Sequence, residues 1–136
     1  MAAPQPAWGE VYEVPATTTA QDLLRLPDDG SKYELYEGTL VREMTSPGHG
    51  AICHRLSGVL FVYAQSTGFA NQILQNALFD LTPPGEPRRT VLAPDVAIAR
   101  SSAAPSWDVP RETPLVAVEV VSEGTWISFG AGGSRA

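Results

Sequence analysis

The segment Leu115–Val121 is apolar at every position except Glu119. Side chains alternate along a strand, so a continuous apolar run leaves neither face suited to water. Such a strand needs cover on both sides, from helices or a second layer. Glu119 shares a face with Ala117 and Val121. A carboxylate there is costly unless it is paired, hydrogen-bonded or bound to a metal. A second acid, Asp95, interrupts the apolar run Val91–Ile98, and the adjacent Pro94 implies an edge position or a bulge. One such acid reads as a strand-end carboxylate reaching solvent or an arginine. Two of them, on strands separated by a loop, read as hard oxygen ligands brought to one spot, a set suited to Mg²⁺ or Mn²⁺.

The rest of the composition narrows the setting. The chain has 136 residues, enough for one core, and 43% of them are hydrophobic. Its formal net charge of −6 argues against a broad basic surface for nucleic acid and predicts weak non-specific binding to DNA. Cys53 is the one cysteine, so no internal disulfide forms, and a free cysteine within Ile52–Leu60 reads as a buried small residue. Residues 1–8 lack the basic and apolar regions of a signal peptide, and no apolar run reaches the length of a membrane span. A reducing cytoplasm is the expected location.

Along the chain, residues 1–18 read as an extended arm rich in proline. Thr19 caps a short helix, with Asp22 three residues on, and Pro27-Asp28-Asp29-Gly30 ends it. Tyr33 to Glu43 reads as a hairpin turning at Glu37-Gly38. His49 to Ser66 is the strongest helix, with Ile52, Leu56, Val59, Leu60 and Tyr63 at helical spacing and Gly68 as its C-cap. Phe69–Leu81 is ambiguous between strand and helix. The tail 124–136 carries four glycines and no amphipathic period.

The ordered set Tyr33-Glu34-Leu35 with Glu37-Gly38, Ser46-Pro47, His49-Gly50, Pro94-Asp95-Val96 and Val118-Glu119-Val120-Val121-Ser122 resembles a bacterial restriction endonuclease domain family. That family lies within the PD-(D/E)XK nuclease superfamily. The resemblance covers roughly residues 19–123. It implies an α+β (α/β-like) fold, a restriction-endonuclease-like mixed β-sheet flanked by helices. It also implies roles: Asp95 as the metal-binding aspartate, Glu119 as the second acid and Glu34 as a further carboxylate from the N-terminal part. Together these would hold Mg²⁺ (or Mn²⁺) for DNA phosphodiester hydrolysis. Glu34 in a short hairpin reads equally well as a solvated glutamate. His49 could help a helix N-terminus meet a phosphate, but a helix-start histidine without a role is the plainer reading. A Ser122-His49-Asp95 triad lacks the nucleophile-elbow sequence.

The pattern also places a lysine two residues after the second acid, where this chain has Val121. The single lysine, Lys32, precedes the hairpin, and Arg135 is the only basic residue after Glu119. Relatives carry a further helix and strands after this segment, so the domain at 19–123 reads as incomplete at its C-terminal side. Two expectations follow: a metal-dependent DNA endonuclease, or an inactive nuclease-like remnant or interaction module without the active-site lysine. An uncovered strand at Leu115–Val121 would favour self-association into homo-oligomers.

Overall fold

A computed structural model describes residues 9–44, 46–100 and 108–121. The first strand, β1 (Glu10–Tyr12), lies within the segment expected to be an extended arm and pairs with the hairpin. Helix α1 (Ala20–Leu24) starts at Thr19, whose hydroxyl accepts from the Asp22 backbone N–H while the Asp22 carboxylate accepts from the Thr19 N–H, a reciprocal capping box. The hairpin is β2 (Ser31–Tyr36) and β3 (Thr39–Met44). Its two-residue turn has Glu37 at φ 47° and Gly38 at φ 83°, the left-handed pair whose twist matches the strands. The hairpin begins two residues earlier than its aromatic pattern indicates, because Ser31 and Lys32 pair with Met44 and Glu43.

Helix α2 (Pro47–Thr67) runs from a Ser46 cap to Gly68 in the left-handed conformation. A single 3-10 turn, Ala70–Gln72, leads to β4 (Ile73–Gln75), and β5 (Phe79–Asp80) follows, resolving the ambiguous stretch as a helical turn and two short strands. Then come β6 (Val91–Leu92), β7 (Val96–Ile98) and β8 (Val116–Val118). The strands form a five-stranded sheet in the order β1-β3-β2-β6-β5 and a three-stranded sheet in the order β4-β7-β8. All strand pairings among the described residues are antiparallel. With its helices this is an α+β fold of the restriction-endonuclease-like kind. One core gathers Ala20, Leu23, Leu35, Leu40 and Val91, and a smaller one gathers Phe79, Ala97 and Ala99.

One expectation is corrected. Helix α2 does not bury the stripe Ile52, Val59 and Tyr63, which are 55%, 68% and 66% exposed. It buries His49, Cys53 and Ala64 instead, because contact with β4 and β7 is made through the side of the helix that carries small residues and the histidine. The run Leu115–Val121, which would need cover on both faces, is instead an uncovered strand, as its sequence leads one to expect. Only Val116–Val118 pair, at an edge among the described residues, and Leu115, Val116 and Val121 are all exposed. The tail at 124–136 lies outside the described residues.

Candidate functional site

Pro94 and Asp95 occupy the step between β6 and β7, where the chain leaves one sheet for the other. Proline removes a donor from the ladder and suits such a break. Asp95 is 1% exposed. The pairing of Val96 with Val118 brings Asp95 beside Glu119 at the end of β8. The two carboxyl groups lie close enough for each to shift the other's pKa. The residues singled out in the two apolar runs thus converge, as the shared-ligand argument requires.

The convergence has a cation at its centre. Lys32 Nζ lies 3.3 Å from Asp95 Oδ1 and 3.6 Å from Glu119 Oε2. Strand alternation from the earlier start of β2 puts Lys32 and Glu34 on one face, and cross-strand pairing puts Glu43 opposite Lys32. Burial draws the Lys32 pKa down, but the carboxylates of Glu34, Glu119, Asp95 and Glu43 outweigh it, and the net direction is up. Lys32 is therefore charged at neutral pH. The sequence leaves position 121 without a lysine, and the ammonium beside these two carboxylates comes from the hairpin instead. The physical signal available in sequence is the spacing Lys32–Glu34, two polar residues on one face of a strand.

Of the two readings of Glu34, the solvated one does not hold. It is buried rather than solvated, and Oε2 accepts from the Ala93 backbone N–H at 2.7 Å. Burial raises its pKa, with Lys32 and the Ala93 N–H opposing. Glu43, which sequence reasoning does not single out, is half-buried and raised by burial as well.

Asp95 and Glu119 titrate in opposite directions. Burial works against the Asp95 charge. The Val120 N–H on Oδ2 at 2.6 Å, Lys32, His49 and Glu119 together overcome it and hold the pKa below the usual range. Glu119 is pushed up to about 7, first by burial of its carboxyl and then by the negative charges of Asp95 and Glu34, with Lys32 opposing. Its side chain as a whole is 58% exposed, with Oε2 turned to the buried Lys32 ammonium.

His49, in the first turn of α2, faces the same aspartate: Nε2 is 3.2 Å from Asp95 Oδ2. Across the ring, Nδ1 is 3.7 Å from the Cys53 sulfur. His49 is thus buried and partnered by Asp95 rather than standing free at the helix start. Ser122, the remaining member of the Ser122-His49-Asp95 triad, lies outside the described residues.

Comparison with known proteins points to one family. The sequence model of the Uma2 family, described as "Putative restriction endonuclease", matches residues 20–126. No curated protein and no solved structure matched the chain. The matched span runs from α1 to β8 and includes Lys32, Glu34, Asp95 and Glu119, and the chain belongs to the Uma2 family.

Proposed function

We propose that this chain is a metal-dependent DNA endonuclease that hydrolyses phosphodiester bonds at the Asp95–Glu119–Lys32 cluster. The observation that carries the reading is the Lys32 ammonium, within 3.3 Å of one carboxylate and 3.6 Å of the other. Two oxygen-bearing groups already converge on one positive charge, so the donor set fits a hard divalent ion. Asp95 and Glu119 would hold Mg²⁺ or Mn²⁺, with Glu34 behind them. When bound, such an ion lowers the pKa of a water and offsets charge on the phosphate.

The chain's own residues do the remaining work. The Val120 N–H fixes Asp95 Oδ2, so that its carboxylate is charged and oriented before anything binds. Lys32 supplies a fixed positive charge for a phosphate oxygen. Glu119, pushed up to about 7 in the absence of an ion, sheds its proton near neutral pH and would take up the ion as the carboxylate. Glu34 is held by the Ala93 N–H next to the same step between sheets. The net charge of −6 keeps non-specific grip on DNA weak. A DNA substrate and a free buried thiol suit the reducing cytoplasm. No helix among the described residues is long and apolar enough to cross a membrane.

Nicking of supercoiled plasmid with Mg²⁺ or Mn²⁺, against a chelator control, is the test. Cleavage by the unaltered chain, abolished in Asp95→Asn, is the expected result. No cleavage with either ion, or cleavage indifferent to Asp95, would sink the reading.

A further inference from the structure

The proposed endonuclease site uses oxygen donors, yet one side of Asp95 faces nitrogen and sulfur. Its two oxygens look in different directions. Oδ1 meets Lys32, while Oδ2 meets the Val120 N–H and His49. Behind His49 lies Cys53, one helical turn further along α2. Residues four apart on a helix present their side chains on one face, so imidazole and thiol project together toward the aspartate. All three residues are buried, and one donor atom from each falls within 4.8 Å of the others.

We propose that His49, Cys53 and Asp95 form a site for a thiophilic divalent ion of the Zn²⁺ type. The donor set is one imidazole nitrogen, one sulfur and one carboxylate oxygen. That mixture suits zinc or cobalt and is foreign to Mg²⁺, which takes oxygen. Three protein ligands with a fourth position left for water is a common zinc arrangement. Metal–ligand bonds of about 2.0–2.3 Å set tetrahedral ligand–ligand edges of roughly 3.3–3.7 Å. The 3.2 Å and 3.7 Å contacts of His49 with Asp95 and Cys53 are already at that scale. They use opposite ring nitrogens, so a bound ion takes one nitrogen, and the remaining donors, now within 4.8 Å, close by up to about 1.5 Å to reach those edges. Binding requires the Cys53 proton to leave, because the thiolate is the ligand.

The consequence concerns regulation, and only this part rests on the endonuclease reading. An ion on Oδ2 draws negative charge from the carboxylate that would hold Mg²⁺ through Oδ1. Zn²⁺ would then act as an inhibitor competing through a shared aspartate.

The probe is Co²⁺ alone, added to the full chain. Cys53 is the only thiol in the sequence, so a thiolate-to-cobalt charge-transfer band identifies it without ambiguity. The expected result is a band that saturates at one equivalent, disappears in Cys53→Ala, and is accompanied there by at least about a tenfold loss of Co²⁺ affinity. Mn²⁺ affinity in Cys53→Ala should stay within about twofold, since manganese prefers oxygen. Absence of the band in the unaltered chain, or its persistence in Cys53→Ala, overturns the proposal. If the variant fails to fold, the single thiol still makes the band of the unaltered chain decisive. Should Co²⁺ give the band while Mn²⁺ neither binds nor supports cleavage, the endonuclease reading falls and this site stands.

Discussion

Asp95 and Glu119 are neighbouring carboxylates on paired strands, yet they live in different regions. Asp95 sits at the step between two sheets, 1% exposed, with Lys32, His49 and the Val120 N–H as partners. Glu119 follows an edge strand and keeps a 58% exposed side chain. Burial penalises both charges. The step wins its charge back through directed donors, whereas the edge offers Glu119 one shared cation and two repelling acids. The lesson is that burial alone does not set a carboxylate's charge; the supply of donors does.

The largest effect should come from breaking the step. Asp95→Ala leaves the Lys32 ammonium and the Val120 N–H without their buried partner. Losing one half of a buried pair typically costs about 3–5 kcal/mol. Thermal melts of Asp95→Ala and Glu119→Ala check this; equal shifts would erase the contrast between the two regions.

Removing the shared cation comes next. Lys32→Met should lower the rate of plasmid nicking by about 10²–10³-fold, the scale for a lost preorganised charge. Lys32→Arg should recover little, because a planar fork does not replace a compact ammonium between two carboxylates. Single-turnover rates at saturating Mn²⁺ would show it, and full activity in Lys32→Met would remove the lysine from the reaction.

A smaller effect separates the two acids by pH. Glu119 has a folded pKa of about 7, above its ordinary 4.5. The folded chain keeps a proton that the unfolded chain has lost, so this contribution is full below about 4.5 and fades as pH rises through about 7. Asp95 is shifted down from 3.8, so its contribution is present above that value and is lost on acidification. Denaturant midpoints between pH 5 and 8 should therefore fall less in Glu119→Gln than in the unaltered chain. Parallel curves would mean that Glu119 does not titrate as described.

The smallest effect belongs to Glu34→Gln. The amide oxygen still accepts from Ala93, so stability should change by no more than about 1 kcal/mol, the usual net worth of one such bond. Its kcat/KM should fall only several-fold, and a loss as deep as that of Asp95→Asn would promote Glu34 to a direct ligand.

Much of this arrangement is legible in the amino-acid sequence. Local rules place both helix caps and the hairpin turn, because Thr19, Gly68 and Glu37-Gly38 act on their own neighbours. The convergence of Asp95 and Glu119 is legible because each acid breaks an apolar run. Lys32 escapes such a reading because the aromatic pattern of its strand starts at Tyr33, and only cross-strand pairing with Glu43 extends the strand back. The buried face of α2 escapes it for a related reason. Hydrophobicity points to Ile52, Val59 and Tyr63, whereas contact with β4 and β7 selects Cys53, Ala64 and His49. Neither choice is written in local sequence; both depend on what arrives from far along the chain.

The step at Pro94–Asp95 also makes the site a joint. Lys32 and Glu34 belong to the five-stranded sheet, while Glu119 hangs from the three-stranded one, and Asp95 is the covalent pivot between them. Strand β8 is short and pairs on one side only among the described residues, the kind of element that opens at low cost. A local opening there would carry Glu119 and the Val120 N–H away while the hairpin keeps Lys32 in place. The protein could then lose its site, and regain it, without unfolding, and amide exchange at Val120 would count how often that happens.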